Sequence, residues 1–283
     1  MAKVKIKANE NYLKTDHVLF NNRIFMIKSL YLCFLSTLIF TLPFCTSSTG
    51  KDNKRMKTFQ SSIINPNKKN IAVLELFTSQ GCSSCPPADR LLGTYTSKEN
   101  IIPLSFHVDY WDRLGWKDPF SSKEHTQRQY NYASALHASV YTPQLVINGR
   151  AEMIGSDANK ISSAINKILS ETSQAALSIK TVNAENGKIN ISFDVSGTTG
   201  NSSVNIALVE NKTTTAVKAG ENGGATLTNY NVVRDFKTIN KFEVGENTCT
   251  IDIPASSDLK NFSVVIFLQQ KNNNIIAADK KEL

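Results

Sequence analysis

Residues 79–92, "SQGCSSCPPADRLL", place Cys82 and Cys85 two residues apart, between an apolar run and a proline pair. A ring that small opens and closes as a disulfide without unfolding the chain. At a helix start, unpaired N–H groups and the helix dipole favour negative charge on the first cysteine. Its thiolate fraction rises, and the thiolate is the nucleophile. The expectation is therefore an exposed, acidic Cys82 that attacks and a buried Cys85 that resolves the mixed disulfide. Two other chemistries fit the pair: a permanent staple in a binding or assembly module, or a soft-metal site for Cu(I) or zinc completed by a histidine. No second CxxC or HxxxH supports a closed zinc site. No metal ligand is assigned, and no cofactor is expected beyond the redox-active disulfide.

The surrounding pattern is α/β. Strands are predicted at 71–77 "IAVLELF", 101–108 "IIPLSFHV", 142–148 "TPQLVIN" and Ala151–Ile154. Helices are predicted after Pro86, over 121–136 with a Ser cap, and over 156–170 with a Ser/Asp cap. Asn148-Gly149 signals the hairpin turn between the last two strands. Right-handed crossovers make the first two strands parallel, so their C-terminal ends share one sheet edge with the cysteines. The third strand runs the other way, which brings its beginning, Thr142-Pro143, to that same edge. A proline entering a strand lacks a ladder donor and needs another role. A cis bond there would turn the Thr142 backbone toward an incoming extended chain.

Further residues lie near that edge. Glu75 on the first strand is a candidate proton acceptor, with a structural role as the blander reading. "HVDYWDRLGW" leaves the second strand there, so His107, Asp109, Tyr110 and Trp111 are candidates for a substrate rim, and His107 for tuning the Cys82 pKa. The alternatives are a strand-ending histidine and loop-packing aromatics. In "GENGG" and "NVVR" (220–234), Glu221 and Arg234 suggest a partner site or an internal salt bridge. Cys249 reads as a small buried hydrophobe.

After residue 173 the texture becomes alternating. In 188–197, "KINISFDVSG", Ile189, Ile191, Phe193 and Val195 share one face. Residues 203–210 and 262–270 repeat the pattern between Asn/Gly turns. The predicted fold is an α/β domain with a four-stranded mixed sheet flanked by helices (70–173), followed by an all-β antiparallel sandwich (174–283).

The chain has 283 residues, 41% of them apolar, and a formal charge of +8. Residues 1–70 carry 12 Lys/Arg against 3 Asp/Glu, while the rest carry 20 against 21. The basic excess is thus N-terminal, and polyanion binding by the folded part loses its electrostatic support; no nucleic-acid partner is expected. Residues 29–44 form an apolar stretch behind Lys28, short for a membrane span and suited to an export signal. Met26 is read as the true start, and Cys45 as a lipidation candidate. Plain cleavage and an uncleaved anchor are the alternatives. The predicted arrangement is an N-terminal extension with a signal or lipoprotein-type segment (1–45), a flexible tether (46–69) and extracytoplasmic domains. The membrane is a partner only through that anchor.

Taken with Pro143, the Cys82–Cys85 pair resembles the redox motif and cis-proline of the thioredoxin-like superfamily. "LELFTSQGCSSCPPAD", "PLSFHVDYWDRLGWKDPFSS", "YTPQLVINGR" and "GENGGATLTNYNVVR" look more closely like the exported domain-of-unknown-function 1223 family, over about 70–283. The resemblance implies a thioredoxin-like domain outside the cytoplasm, with exported protein thiols or a redox protein as partners. It supplies no established substrate. Gly81 stands where thioredoxins often carry an aromatic residue, and Leu76 where they carry a buried carboxylate.

Overall fold

A computed structural model describes residues 70–254 and 258–283. The expected export segment, Met26, Cys45 and the tether lie outside the described residues. Among the described residues no helix is long and apolar enough to cross a membrane.

Strand β1 (Ala72–Thr78) is buried along its whole length, as a seven-residue run that presents apolar side chains to both faces should be. Strand β2 (Ile101–His107) lies parallel to it, in register from Ala72 with Ile101 to Thr78 with His107. Strand β3 (Gln144–Ile147) pairs antiparallel on the other side of β1, and β4 (Ala151–Ile154) closes that edge. Three helices flank these strands: α1 (Pro86–Gly93), α2 (Lys123–Ala135) and α3 (Ala158–Leu169). The Ser122 hydroxyl caps α2 by accepting from the His125 N–H, and Asp157 caps α3 through the Lys160 N–H. A 3-10 turn, Asp109–Leu114, follows β2.

The alternation along β1 separates two cores. Ala72, Leu74 and Leu76 pack with Ala88 and Leu92 of α1 and with Ile161, Ile165 and Ile168 of α3. Val73 and Phe77 face the opposite side, with Leu104 and Phe106 of β2 and Tyr132 of α2.

The sheet does not end at β2, where a four-stranded sheet would end. Among the described residues it has eight strands, ordered β11-β10-β7-β8-β2-β1-β3-β4. Strands β7 (Ser202–Ala216), β8 (Thr226–Ile239), β10 (Phe262–Gln270) and β11 (Ile275–Glu282) all come from the C-terminal half. The second sheet, β5 (Ala175–Glu185), β6 (Lys188–Gly197) and β9 (Gly245–Asp252), is antiparallel. Its Ile189, Ile191 and Phe193 pack against Ile206 and Leu208 of β7 and Val264 and Ile266 of β10. The alternation therefore does make two packed layers, but one of them is a continuation of the α/β sheet. All described residues fall in one compact unit.

The joint is narrow. Ser105 of β2 pairs with Val232 of β8, and the Asn231 amide donates to the Pro103 carbonyl at 2.8 Å. A second joint lies at the Asn148-Gly149 turn, where both residues have positive φ. The Asn148 side chain accepts from the Val73 N–H at 2.6 Å and donates to the Ile71 carbonyl, while its own carbonyl accepts from the Ile275 N–H at 2.9 Å. A Cβ on Gly149 would lie 1.9 Å from the Asn273 carbonyl oxygen, at a φ of 65°. Gly149→Ala is expected to cost about 2–4 kcal/mol, because the clash is with backbone and the conformation disfavours a side chain. Thermal or urea unfolding measures it; an unchanged transition would mean that the two turns can separate freely.

Candidate functional site: the disulfide edge

The chain leaves β1 at Thr78 and turns through residues 79–85. The Gly81 N–H donates to the Ser79 hydroxyl at 3.0 Å, and the Cys82 N–H donates to the Ser79 carbonyl at 3.1 Å. Gly81 is held close to the 3-10 turn, because a Cβ there would lie 3.2 Å from the Trp111 Cβ. Cys82 and Cys85 form a disulfide with Cα atoms 5.4 Å apart.

Two expectations need correction. Helix α1 begins at Pro86, and Cys85 is its N-cap, so Cys82 stands upstream of the first turn. Pro86 and Pro87 occupy the opening positions and bring no N–H groups, which removes two donors that a helix would otherwise point toward the turn. The expected asymmetry in exposure is absent as well: both cysteines are 0% exposed, while Ser83 and Ser84 between them are open to solvent.

The donors near Cys82 come from side chains. The Thr142 hydroxyl donates to the Cys82 Sγ at 3.3 Å, and the Ser84 hydroxyl lies 3.4 Å from the same sulfur. Trp111 Nε1–H donates to the Thr142 Oγ1 at 2.9 Å. The Thr142 hydroxyl thus accepts from Trp111 and uses its one O–H hydrogen toward sulfur. The Thr142–Pro143 peptide is cis, and the Pro143 carbonyl accepts from the Gly155 N–H at 2.9 Å.

Of the rim candidates, Trp111 thus reaches the site through Thr142. The Tyr110 hydroxyl is buried among the side chains of the same edge, and burial, against the influence of Gln129 and Thr142, pushes its pKa up to about 12. Asp109 instead ties the 3-10 turn to α2, accepting from the Thr126 hydroxyl at 2.6 Å. Glu75 faces away from the cysteines, toward α2, where it pairs with Arg128 and accepts from the Tyr132 hydroxyl. Arg234 does not meet Glu221; it pairs with Glu210 and lies 5.0 Å from the Phe120 ring centroid. Cys249 is partly buried against the core between the two sheets, and burial raises its thiol to about 11.

His107 is fully buried, with Nδ1 2.7 Å from Asp118 Oδ2. Asp118 also accepts from the Gln80 N–H at 2.7 Å, which anchors the cysteine turn, and from the Phe120 N–H at 3.0 Å. Burial opposes charge on His107, but Asp118 beside it and Asp89 nearby outweigh burial and raise its pKa. Burial likewise opposes ionisation of Asp118, and His107 with the hydrogen bonds from Gln80 and Phe120 brings its pKa below the ordinary value. Asp89, one helical turn after Cys85, is pushed up to about 6 by burial, with the charge of His107 offsetting part of the effect. Asp89 Oδ1, His107 Nε2 and the Thr78 hydroxyl are buried without a hydrogen-bond partner. Cross-strand pairing sets Thr78 beside His107. Among the described residues no group of three His, Cys, Asp or Glu side chains is arranged to hold a metal.

Sequence reasoning missed Gln80, Asp89 and Asp118 as parts of the site, and also Asn222. Its side-chain amide donates to the carbonyls of Gln80 and Cys82, each at 2.9 Å. The signal available was the run "GENGG" itself, whose glycines mark a tight loop without saying where it docks.

Residues 73–269 match the model of a family described as a protein of unknown function (DUF1223). A search of curated proteins gives no match. A structural-genomics crystal structure of a protein from Agrobacterium tumefaciens is 31% identical, covers 75% of this chain and 95% of its own, and has a TM-score of 0.59. A domain of the outer membrane lipoprotein Omp28 from Porphyromonas gingivalis is far more distant, at 13% identity over 39% of this chain and 95% of its own, with a TM-score of 0.25.

The buried carboxyl gives a signed pH effect. A folded-state pKa raised from 3.8 to about 6 makes the native state bind protons more tightly than the unfolded chain. Stability from this group is full below about pH 4 and is lost as pH rises through 6. Asp89→Asn is expected to stabilise the protein at pH 7 by up to about 3 kcal/mol, at 1.36 kcal/mol per pKa unit. The gain should vanish near pH 4. Urea unfolding at the two pH values measures it, and a loss of stability at pH 7 would show that the ionised carboxylate has a compensating partner.

Proposed function

The chain belongs to the DUF1223 family of proteins of unknown function, and on that footing we propose that it is an extracytoplasmic thiol–disulfide oxidoreductase built on a thioredoxin-like arrangement. One observation carries the reading: a CxxC disulfide whose first sulfur accepts the Thr142 hydroxyl beside a cis Thr142–Pro143 bond. The N-terminal apolar segment with Cys45 supports export, and exported protein thiols are the proposed partners.

In the reduced protein, the Cys82 thiolate attacks one sulfur of a substrate disulfide. A Cys82–substrate disulfide forms and the other substrate sulfur leaves as thiolate. Cys85 gives up its proton and attacks the Cys82 sulfur, restoring the Cys82–Cys85 disulfide and releasing the second substrate thiolate. Run in reverse, the same steps oxidise a substrate dithiol. The chain of donors from Trp111 through Thr142 favours the Cys82 thiolate and replaces the donors that Pro86 and Pro87 lack. The Thr142 backbone, ahead of β3, presents an edge for an extended substrate segment.

Complete burial of both cysteines favours a second reading, a binding module with a structural disulfide. Two experiments separate the readings. Cys85→Ser should accumulate mixed disulfides with exported thiols, and the double variant with Cys82→Ser should accumulate none. A structural staple traps nothing and resists reduction by glutathione, with a potential below roughly −300 mV.

Thr142→Val tests the donor directly. Loss of a hydrogen bond to a charged sulfur, about 1.5–3 kcal/mol, should raise the Cys82 pKa by about one to two units. Alkylation of the reduced protein against pH reads this shift, and an unshifted profile would remove Thr142 from the mechanism.

A further inference from the structure

The connection between β7 and β8, residues 217–225, lies against the cysteine turn. Its neck is closed by the Val217 N–H donating to the Ala225 carbonyl at 2.9 Å and the Gly224 N–H donating to the Val217 carbonyl at 2.8 Å. Val217 is buried at that neck. Gly220 and Gly224 flank the tip with φ of 73° and 86°. From this tip Asn222 donates to the carbonyls of Gln80 and Cys82. Glu221 Oε2 accepts from the Ser83 N–H at 3.0 Å. Gly220 fits closely against the aromatic loop after β2, since a Cβ there would lie 3.1 Å from the Trp116 Cβ.

These contacts have two effects at Cys82. Three hydrogen bonds hold a loop over a turn whose cysteines are fully buried. In addition, a carboxylate rests on the N–H of the residue next to Cys82. A carboxylate in that position opposes the thiolate electrostatically and takes a donor that the thiolate would otherwise attract.

We propose that the 217–225 loop is an autoinhibitory cover, in which Asn222 holds the cysteine turn shut and Glu221 disfavours the Cys82 thiolate until a partner polypeptide takes the place of the loop. The proposal deepens the oxidoreductase reading and rests on it for its biological sense. Selectivity follows from the same contacts. A partner must replace one hydrogen-bond acceptor at the Ser83 N–H and two donors at the Gln80 and Cys82 carbonyls, a pattern that the alternating C=O and N–H groups of an extended peptide can supply. A small thiol replaces none of them.

The test needs no physiological substrate, so its failure is distinguishable from failure of the oxidoreductase reading. The rate at which dithiothreitol reduces the full-length protein is measured for wild type, Asn222→Ala and Gly220→Ala. Loss of two hydrogen bonds should speed reduction by about tenfold or more. Gly220→Ala, which displaces the same loop by crowding Trp116, should do likewise. Reduced Glu221→Gln is then alkylated with iodoacetate and with iodoacetamide. Removing a nearby negative charge should raise the rate for the anionic reagent more than for the neutral one. Unchanged reduction rates in both loop variants, with folds intact by circular dichroism, would overturn the cover. An unchanged ratio between the two reagents would overturn the role of Glu221. If reduction speeds up while Cys85→Ser traps no partner, the cover stands and the oxidoreductase reading falls.

Discussion

A single guanidinium ties the two halves of this protein together. Arg128 projects from α2 and pairs with Glu75 of β1, a carboxylate with no solvent exposure. It also donates to the Tyr132 hydroxyl at 2.8 Å and to Gln269 of β10 at 3.2 Å. Its Cζ lies 4.8–5.5 Å from the ring centroids of Phe106, Tyr132, Phe236 and Phe267. Those rings come from β2, α2, β8 and β10. Taking such a pair out of water is costly, and the arrangement holds because its neighbours satisfy it from every side. Removing either partner leaves the other charge buried and unpaired, so this contact fixes how α2, the early strands and the late strands sit together.

With that geometry fixed, the disulfide edge becomes a product of the whole sheet. The cysteine turn belongs to the β1–α1 connection, Thr142 to the entry of β3, Trp111 to the turn after β2, and Asn222 to the link between β7 and β8. Insertion of β8 directly beside β2 brings that last link within reach of Ser83. A sheet of four strands would leave the turn open on that side. The polar core beneath it, Asp89 with His107 and Asp118, likewise depends on β2 being an interior strand, since His107 is wholly buried only there.

Much of this was legible in the sequence where one physical signal dominated. The alternation of 188–197 and the apolar run of 262–270 give β6 and β10 their observed ends. The apolar run beginning at residue 71 gives β1, and Asn148-Gly149 gives the hairpin. The logic of shared strand ends brought Thr142 to Cys82. What stayed hidden was non-local. Strand β8 carries buried Asn229 and Asn231 near its joint with β2, where an apolar face would have marked a strand. Its registered pairing with β2 is a single pair, Ser105 with Val232, which leaves no pattern to detect. Glu75 stayed a candidate proton acceptor because strand parity says which face it takes, but not that an arginine over fifty residues away waits there. The surroundings of Cys82 were hidden for the same reason: Thr142, at its sulfur, lies 60 positions downstream, and Asn222, at its carbonyl, lies 140.

The strand order also dictates a sequence of events during synthesis. A chain that emerges N-terminus first can pair β1 with β2 and, later, with β3, but β2 keeps a bare edge until residues near 232 arrive. Pairings of such long sequence separation form late. Throughout that interval the cysteine turn has been made and its overlying loop has not. The nascent chain therefore passes through a stage in which the turn around Cys82 lacks its hydrogen bonds with Asn222 and Glu221, and completion of the sheet ends that stage. The last contacts of the cysteine turn thus wait on the position of one late strand.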